Sequence, residues 1–293
     1  MKTLPLTVLV HEGPIARAYL VTLRQSGFRP ERIVLMIYCD DLVSRKPIGR
    51  WLPHTWRLAY AERLHNQRLN YWPRRLRKEH PHLFEKMTTT IAKAFDLSAE
   101  TFDEILTFSN YGVYAETVER VMVKGLADPT LAEFLSRFAP TAVLYTGGGI
   151  IPASLLSVPG LRFLHIHPGR LPYVRGADGL LWSTLVRGKP GASCFYMAPG
   201  IDTGGIVQAA EFSPLEFPLP ANGRPDDPAL YRAIFSYYDP MLRAAMLLRV
   251  FRIGDNPMNL PNQPQYLDQG ITYHFMNPVL RRAALRALFP ERS

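Results

Sequence analysis

A short apolar run, Thr7-Val8-Leu9-Val10, is followed by helical spacing and then by a second apolar run. The helical stretch extends from Ile15 to Ser26 through Ala16, Tyr19, Leu20 and Leu23, and Gly27 with Pro30 just beyond ends it. The second run is Ile33 to Tyr38. Strand, helix, strand at this spacing is a βαβ unit. The alternation resumes downstream. Ala142–Tyr145, Phe163–His167 and Ala192–Met197 read as buried strands. A helix opens at Pro129, a short one follows Pro152, and a long one covers Leu230–Phe251. Ile105–Phe108 reads as a strand, and Glu116–Leu126 as a short helix or irregular segment. The expected fold class is α/β, an open, doubly wound, mostly parallel sheet. A helical insertion at about 42–93 interrupts it, and a short helical C-terminal region follows. Residues 1–215 are expected to form the main domain, with 216–293 as a helical extension packed on it.

The 293 residues allow one or two domains. Hydrophobic residues make up 47%, including 15 Phe and 14 Tyr, too much apolar surface for a disordered chain. No apolar run approaches the ~18 residues of a membrane span, and Met1–Val10 reads as a first strand, not a signal peptide. Cys39 and Cys194 make no disulfide framework, so a reducing, cytoplasmic setting is expected. The net charge of +9 lies in one segment: residues 45–93 hold twelve Lys and Arg against three Glu. Trp51, Trp56 and Trp72 lie there too. Basic residues beside aromatics suit an anionic partner, and equally describe a solvated helical insertion whose tryptophans pack on the body. Motifs of RNA-binding modules are absent.

Open α/β sheets bind ligands beyond the carboxyl ends of their strands, and the polar and glycine-rich residues of this chain fall there. In Phe163-Leu164-His165-Ile166-His167-Pro168-Gly169, strand alternation points His165 and His167 the same way, with Leu164 and Ile166 in the opposite layer. Two histidines at a strand end are costly to bury without partners. Gly200-Ile201-Asp202-Thr203-Gly204-Gly205 lies further along, its glycines permitting tight turns and its Asp able to orient a histidine. Gly147-Gly148-Gly149 is neither a P-loop nor a dinucleotide fingerprint.

His165-Ile166-His167-Pro168-Gly169-Arg170-Leu171-Pro172, with Arg175-Gly176 beyond, resembles the signature of the folate-dependent formyltransferases, Asn-x-His-Pro-x-x-Leu-Pro followed by Arg-Gly. Gly200-Ile201-Asp202-Thr203-Gly204 resembles the family's Gly-x-Asp-x-Gly loop, and Val143–Pro152 its preceding strand and pteridine loop. The likeness is dense over about 140–210. It implies a formyltransferase, Rossmann-like sheet and 10-formyltetrahydrofolate as formyl donor. His167 and Asp202 match the family's catalytic His and Asp, whereas His165 replaces its Asn. The implied roles are His167 as general base or oxyanion stabiliser, Asp202 orienting it, and His165 as a substitute N–H donor.

The donor is expected against Thr146, Gly147, Gly148, Gly149, Ile150, Pro199, Gly200 and Ile201, and the acceptor near His11, Arg175 and Gly176. Arg175 reads equally as a loop-stabilising contact, Trp182 as core and His274 as structural. The acceptor implied is a small amine, phosphorylated or nucleotide-linked, with the 42–93 segment as its specific lid. Nucleic acid is not the expected partner, although the chain does not exclude it; no membrane partner is expected, and a homodimer is allowed. No metal is expected. Two histidines and a carboxylate nevertheless also describe a metal site. A deformylase-like hydrolase and a non-catalytic folate- or nucleotide-binding relative are the other open readings.

Overall fold

In a computed structural model, which describes residues 1–292 apart from 99, 109, 221 and 223, the βαβ unit opens the chain as expected. It comprises β1 (Lys2–Val10), α1 (Pro14–Gln25) and β2 (Phe28–Tyr38), with β1 and β2 paired in parallel. Pro14 sits in the first turn of α1, where its fixed φ and missing N–H cost nothing. The insertion then folds as α2 (His54–Leu69), α3 (Tyr71–Glu79) and α4 (Pro81–Phe95). Residues 40–53 before them are loop, turned by Asp41, whose carboxylate accepts from the N–H groups of Val43 and Ser44.

Two sequence expectations fail here. Ile105–Phe108 is not a strand but mostly the end of α5 (Thr101–Thr107). Phe102, Ile105 and Leu106 are buried together at the i, i+3, i+4 spacing of one helix face. Residues 116–126 are not helical: Thr117–Val123 is β3, an edge strand paired in parallel with β2. Its β-branched Val121 and Val123, alternate residues, turn into the core.

The remaining elements follow in order. They are α6 (Pro129–Ser136), β4 (Thr141–Tyr145), α7 (Ala153–Leu156), β5 (Leu161–His167), β6 (Val174–Gly176) and α8 (Gly179–Arg187). Then come β7 (Gly191–Tyr196), β8 (Ile206–Glu211), β9 (Leu219–Pro220) and α9 (Asp227–Ala233). A π-helical turn (Ile234–Tyr238) joins α9 to α10 (Asp239–Ile253), and β10 (Ile271–Tyr273) and α11 (Pro278–Leu288) complete the order up to a short terminal strand paired with β9.

The main sheet has seven strands in the order β3-β2-β1-β4-β5-β7-β8. All neighbours are parallel except β7, which runs antiparallel to both β5 and β8. Helices cover both faces. On one, α1 and α10 pack on Leu164, Ile166, Ala192 and Cys194. On the other, α6 and α7 pack on Val34, Val143 and Phe163. The alternation expected along β5 therefore holds. Glu12, just past β1, fastens the insertion to this body: its carboxylate accepts from Arg17, from Asn70 beside α3 and from the Tyr111 hydroxyl. Among the described residues no helix is long and apolar enough to cross a membrane.

Candidate active site

Beyond the carboxyl ends of β4 and β5 lies a cleft of about 560 Å³. Of the residues expected there, Gly147, Gly148, Gly149, Ile150, His165, His167, Gly176, Gly200, Ile201 and Asp202 line it. Four do not. Thr146 is buried behind the loop, its hydroxyl bridging the N–H and carbonyl of His11 so that the ends of β1 and β4 stay together. His11 turns its Nδ1 to the Tyr38 hydroxyl at 3.0 Å. Pro199 accepts from the Thr203 hydroxyl at 2.9 Å, closing the loop from behind. Arg175 donates to the carbonyls of Pro172, Leu267 and Gly270, which makes it the clamp of the 267–272 segment and not a cleft residue.

The two histidines sit on adjacent inward positions of β5 and differ in their bonds. His165 places Nδ1 3.1 Å from the Tyr145 carbonyl. His167 places Nε2 2.9 Å from the Val174 carbonyl and Nδ1 3.2 Å from Asp202 Oδ2. Burial lowers the pKa of both, against the attraction of Asp202 and with the help of the Arg243 guanidinium; His165 is pushed down to about 4. The His165 ring is therefore neutral at pH 7.

Asp202 is held in place from both ends. Its Oδ2 accepts from the Gly176 N–H at 2.7 Å, and its carbonyl accepts from the Gln265 amide at 3.0 Å. Its φ of 51° is left-handed, a conformation Asp tolerates better than most residues. The neighbouring Gly204 has φ 111°, and a Cβ there would lie 1.9 Å from the Tyr196 carbonyl. Only glycine lets the loop pass so close to β7.

Residues far along the chain complete the cleft, and sequence reading missed them. Tyr231 and Arg232 of α9, Phe235 of the π turn, Tyr273 at the end of β10, and His274 and Phe275 just after it form one wall. Asp178 ties the two segments, accepting from the Tyr231 hydroxyl and the Met276 N–H, each at 2.8 Å. Trp182 stacks on Tyr273 at 4.5 Å and donates to the His274 carbonyl. Their only sequence signal was an aromatic cluster with no regular period. Among the described residues no group of three or more His, Cys, Asp or Glu is placed to hold a metal ion.

No family model matches the chain. A methionyl-tRNA formyltransferase of Syntrophus aciditrophicus is 36% identical over 90 residues, 30% of this chain and 28% of that one. Human cytosolic 10-formyltetrahydrofolate dehydrogenase is 34% identical over 103 residues, 34% of this chain and 11% of that one. The alignments thus span less than a third of the length of either relative. A 4-N formyltransferase structure from Francisella tularensis aligns with 98% of this chain and 87% of its own at 13% identity, with a TM-score of 0.45. Over about a third of its length, then, this chain is similar in sequence to proteins named methionyl-tRNA formyltransferase and 10-formyltetrahydrofolate dehydrogenase.

Proposed function

We propose that the protein transfers the formyl group of 10-formyltetrahydrofolate to the amine of a small, anionic acceptor. The observation that carries this reading is the pairing of His167 with Asp202 at 3.2 Å, with His165 beside them, in a cleft edged by the 147–149 glycines. These are the residues on which the formyltransferase resemblance rests. Formyl transfer needs a group to take the amine proton, a fixed charge close to that group, and backbone that a flat donor can approach closely. The cleft offers all three. The donor belongs against Gly147–Ile150 and Gly200–Ile201.

The acceptor then belongs on the opposite wall, where Tyr231, Phe235, Tyr273 and Phe275 supply faces for a planar group and Arg232 supplies a cation. Arg232 lies over the Trp72 ring at 5.2 Å, so the insertion reaches this wall. That supports residues 42–93 as the acceptor-specific part. Both cysteines are free, in keeping with a reducing, cytoplasmic setting.

Calorimetry with a non-transferring 10-formyltetrahydrofolate analogue tests the donor. Micromolar binding by wild type, weakened in Asp202→Ala, is the expected result. An amine screen starting from nucleotide-linked amino-sugars then tests the acceptor. Formate release to water without any amine would convert the reading to a hydrolase, and absence of analogue binding by folded protein would overturn it.

A further inference from the structure

A carbonyl oxygen only accepts, so the contact between His165 Nδ1 and the Tyr145 carbonyl puts the ring hydrogen on Nδ1. A neutral ring then has its lone pair at Nε2, which makes no hydrogen bond to a described residue, and the ring lines the cleft. His167 offers no such atom. Its two nitrogens face two acceptors, the Val174 carbonyl and the Asp202 carboxylate. Of the pair, His165 alone presents a free basic nitrogen.

Given formyl transfer in this cleft, we propose that His165 is the proton acceptor of the reaction, acting through Nε2, and that His167 positions the Asp202 loop beside it. This reverses the polarity expected from the sequence, in which His165 replaced an amide as an N–H donor. With Nδ1–H engaged by Tyr145, a neutral His165 has no second N–H to give a formyl oxygen.

The surroundings keep the ring ready. His165 is enclosed by Tyr145 of β4, the edge-on Phe195 ring of β7 and His167 of its own strand. The charges facing it are the Arg243 guanidinium of α10, with Asp239 behind that, and the Asp202 carboxylate of the loop after β7. Burial and Arg243 oppose protonation, and Asp202 only partly offsets them. The ring is thus unprotonated at neutral pH and releases a captured proton easily.

The step balances without a further reactant. The amine nitrogen bonds to the formyl carbon, and the carbonyl π pair moves to oxygen. The new ammonium passes one hydrogen to His165 Nε2. The carbonyl then re-forms, the bond from the formyl carbon to the donor nitrogen breaks, and that nitrogen takes the hydrogen from the imidazolium.

His165→Asn decides between the two polarities, because Asn keeps an N–H donor and lacks a basic nitrogen. We expect kcat to fall by about 10²-fold or more, with donor-analogue affinity retained and part of the rate restored to His165→Ala by added imidazole. Wild-type turnover in His165→Asn would overturn the proposal. A second reading needs no turnover: two-bond ¹H–¹⁵N spectra of wild type at pH 7 should show His165 as the neutral Nδ1–H tautomer. An Nε2–H tautomer or an imidazolium there would also overturn it. A wild type that neither binds the donor analogue nor transfers a formyl group would remove the function reading and the proposal together, a result distinct from equal activity of wild type and His165→Asn.

Discussion

Arg243 Nη1 donates to the Ile166 carbonyl at 2.6 Å, and Ile166 is the residue between His165 and His167. The guanidinium starts on the α10 face of the sheet and ends in the cleft on the side of the histidines. Asp239, one helical turn earlier and fully buried, holds its Nε at 2.9 Å. The π turn immediately before Asp239 places Phe235 in the cleft on the same helical rod, and such turns recur at functional sites.

Arg243→Gln is therefore expected to raise the titration midpoints of both histidines, since the guanidinium disfavours their charged forms. It should also destabilise the protein by about 3–5 kcal/mol, because Asp239 is left buried without its partner. Adding Asp239→Asn should recover part of that loss. Histidine NMR titrations and urea denaturation read the two effects separately; unmoved midpoints in a folded variant would show that Arg243 serves packing alone.

Asp202→Asn should move His167 the other way. The carboxylate favours the imidazolium, so its removal lowers the His167 midpoint further. Formyl transfer should fall by about 10²–10⁴-fold, the range of a displaced acid–base group. A variant with full turnover would dissociate Asp202 from the chemistry.

Acid should weaken the fold in a defined window. An unfolded histidine takes its proton near pH ~6.5, whereas His165 in the fold does so at about 4. Between those values the unfolded chain binds more protons, so stability is complete above the upper one and declines as pH falls toward the lower. Thermal melts from pH 8 to pH 4 should show this decline, and His165→Asn should flatten it. A wild-type Tm independent of pH across that span would contradict the burial of a neutral ring.

Gly204→Ala and Gly188→Ala separate backbone strain from collision. Both glycines have positive φ, but a Cβ at Gly188 meets nothing within 4 Å, while one at Gly204 would overlap the Tyr196 carbonyl. Gly188→Ala should cost about 1 kcal/mol and leave donor-analogue binding intact. Gly204→Ala should cost about 3 kcal/mol or more and lose binding, because the loop carrying Asp202 must shift. Calorimetry and thermal melts on the two variants make the comparison, and matching behaviour would remove the close approach as an explanation.

Sequence alone was enough for the parts ruled by short periods. The two-residue repeat of a strand assigned His165 and His167 to one face of β5 and Leu164 and Ile166 to the other; the histidines line the cleft and the aliphatic pair lies in the core under α1 and α10. Turn glycines and a chemically distinctive order of residues located His165, His167, Asp202 and the 147–149 loop, all of which meet in one cleft. Short apolar runs were less legible. Phe102, Ile105 and Leu106 suit a strand until the neighbouring body is present to bury one helical face, and Thr117–Val123 shows itself as a strand only beside β2. Tertiary structure alone decided which nitrogen of His165 carries the hydrogen, because that depends on the Tyr145 carbonyl brought alongside. It alone turned Arg175 from the cleft to the 267–272 backbone and carried Arg243 to the histidines. Such contacts join residues dozens of positions apart, where no local period in the chain records which side chains will meet.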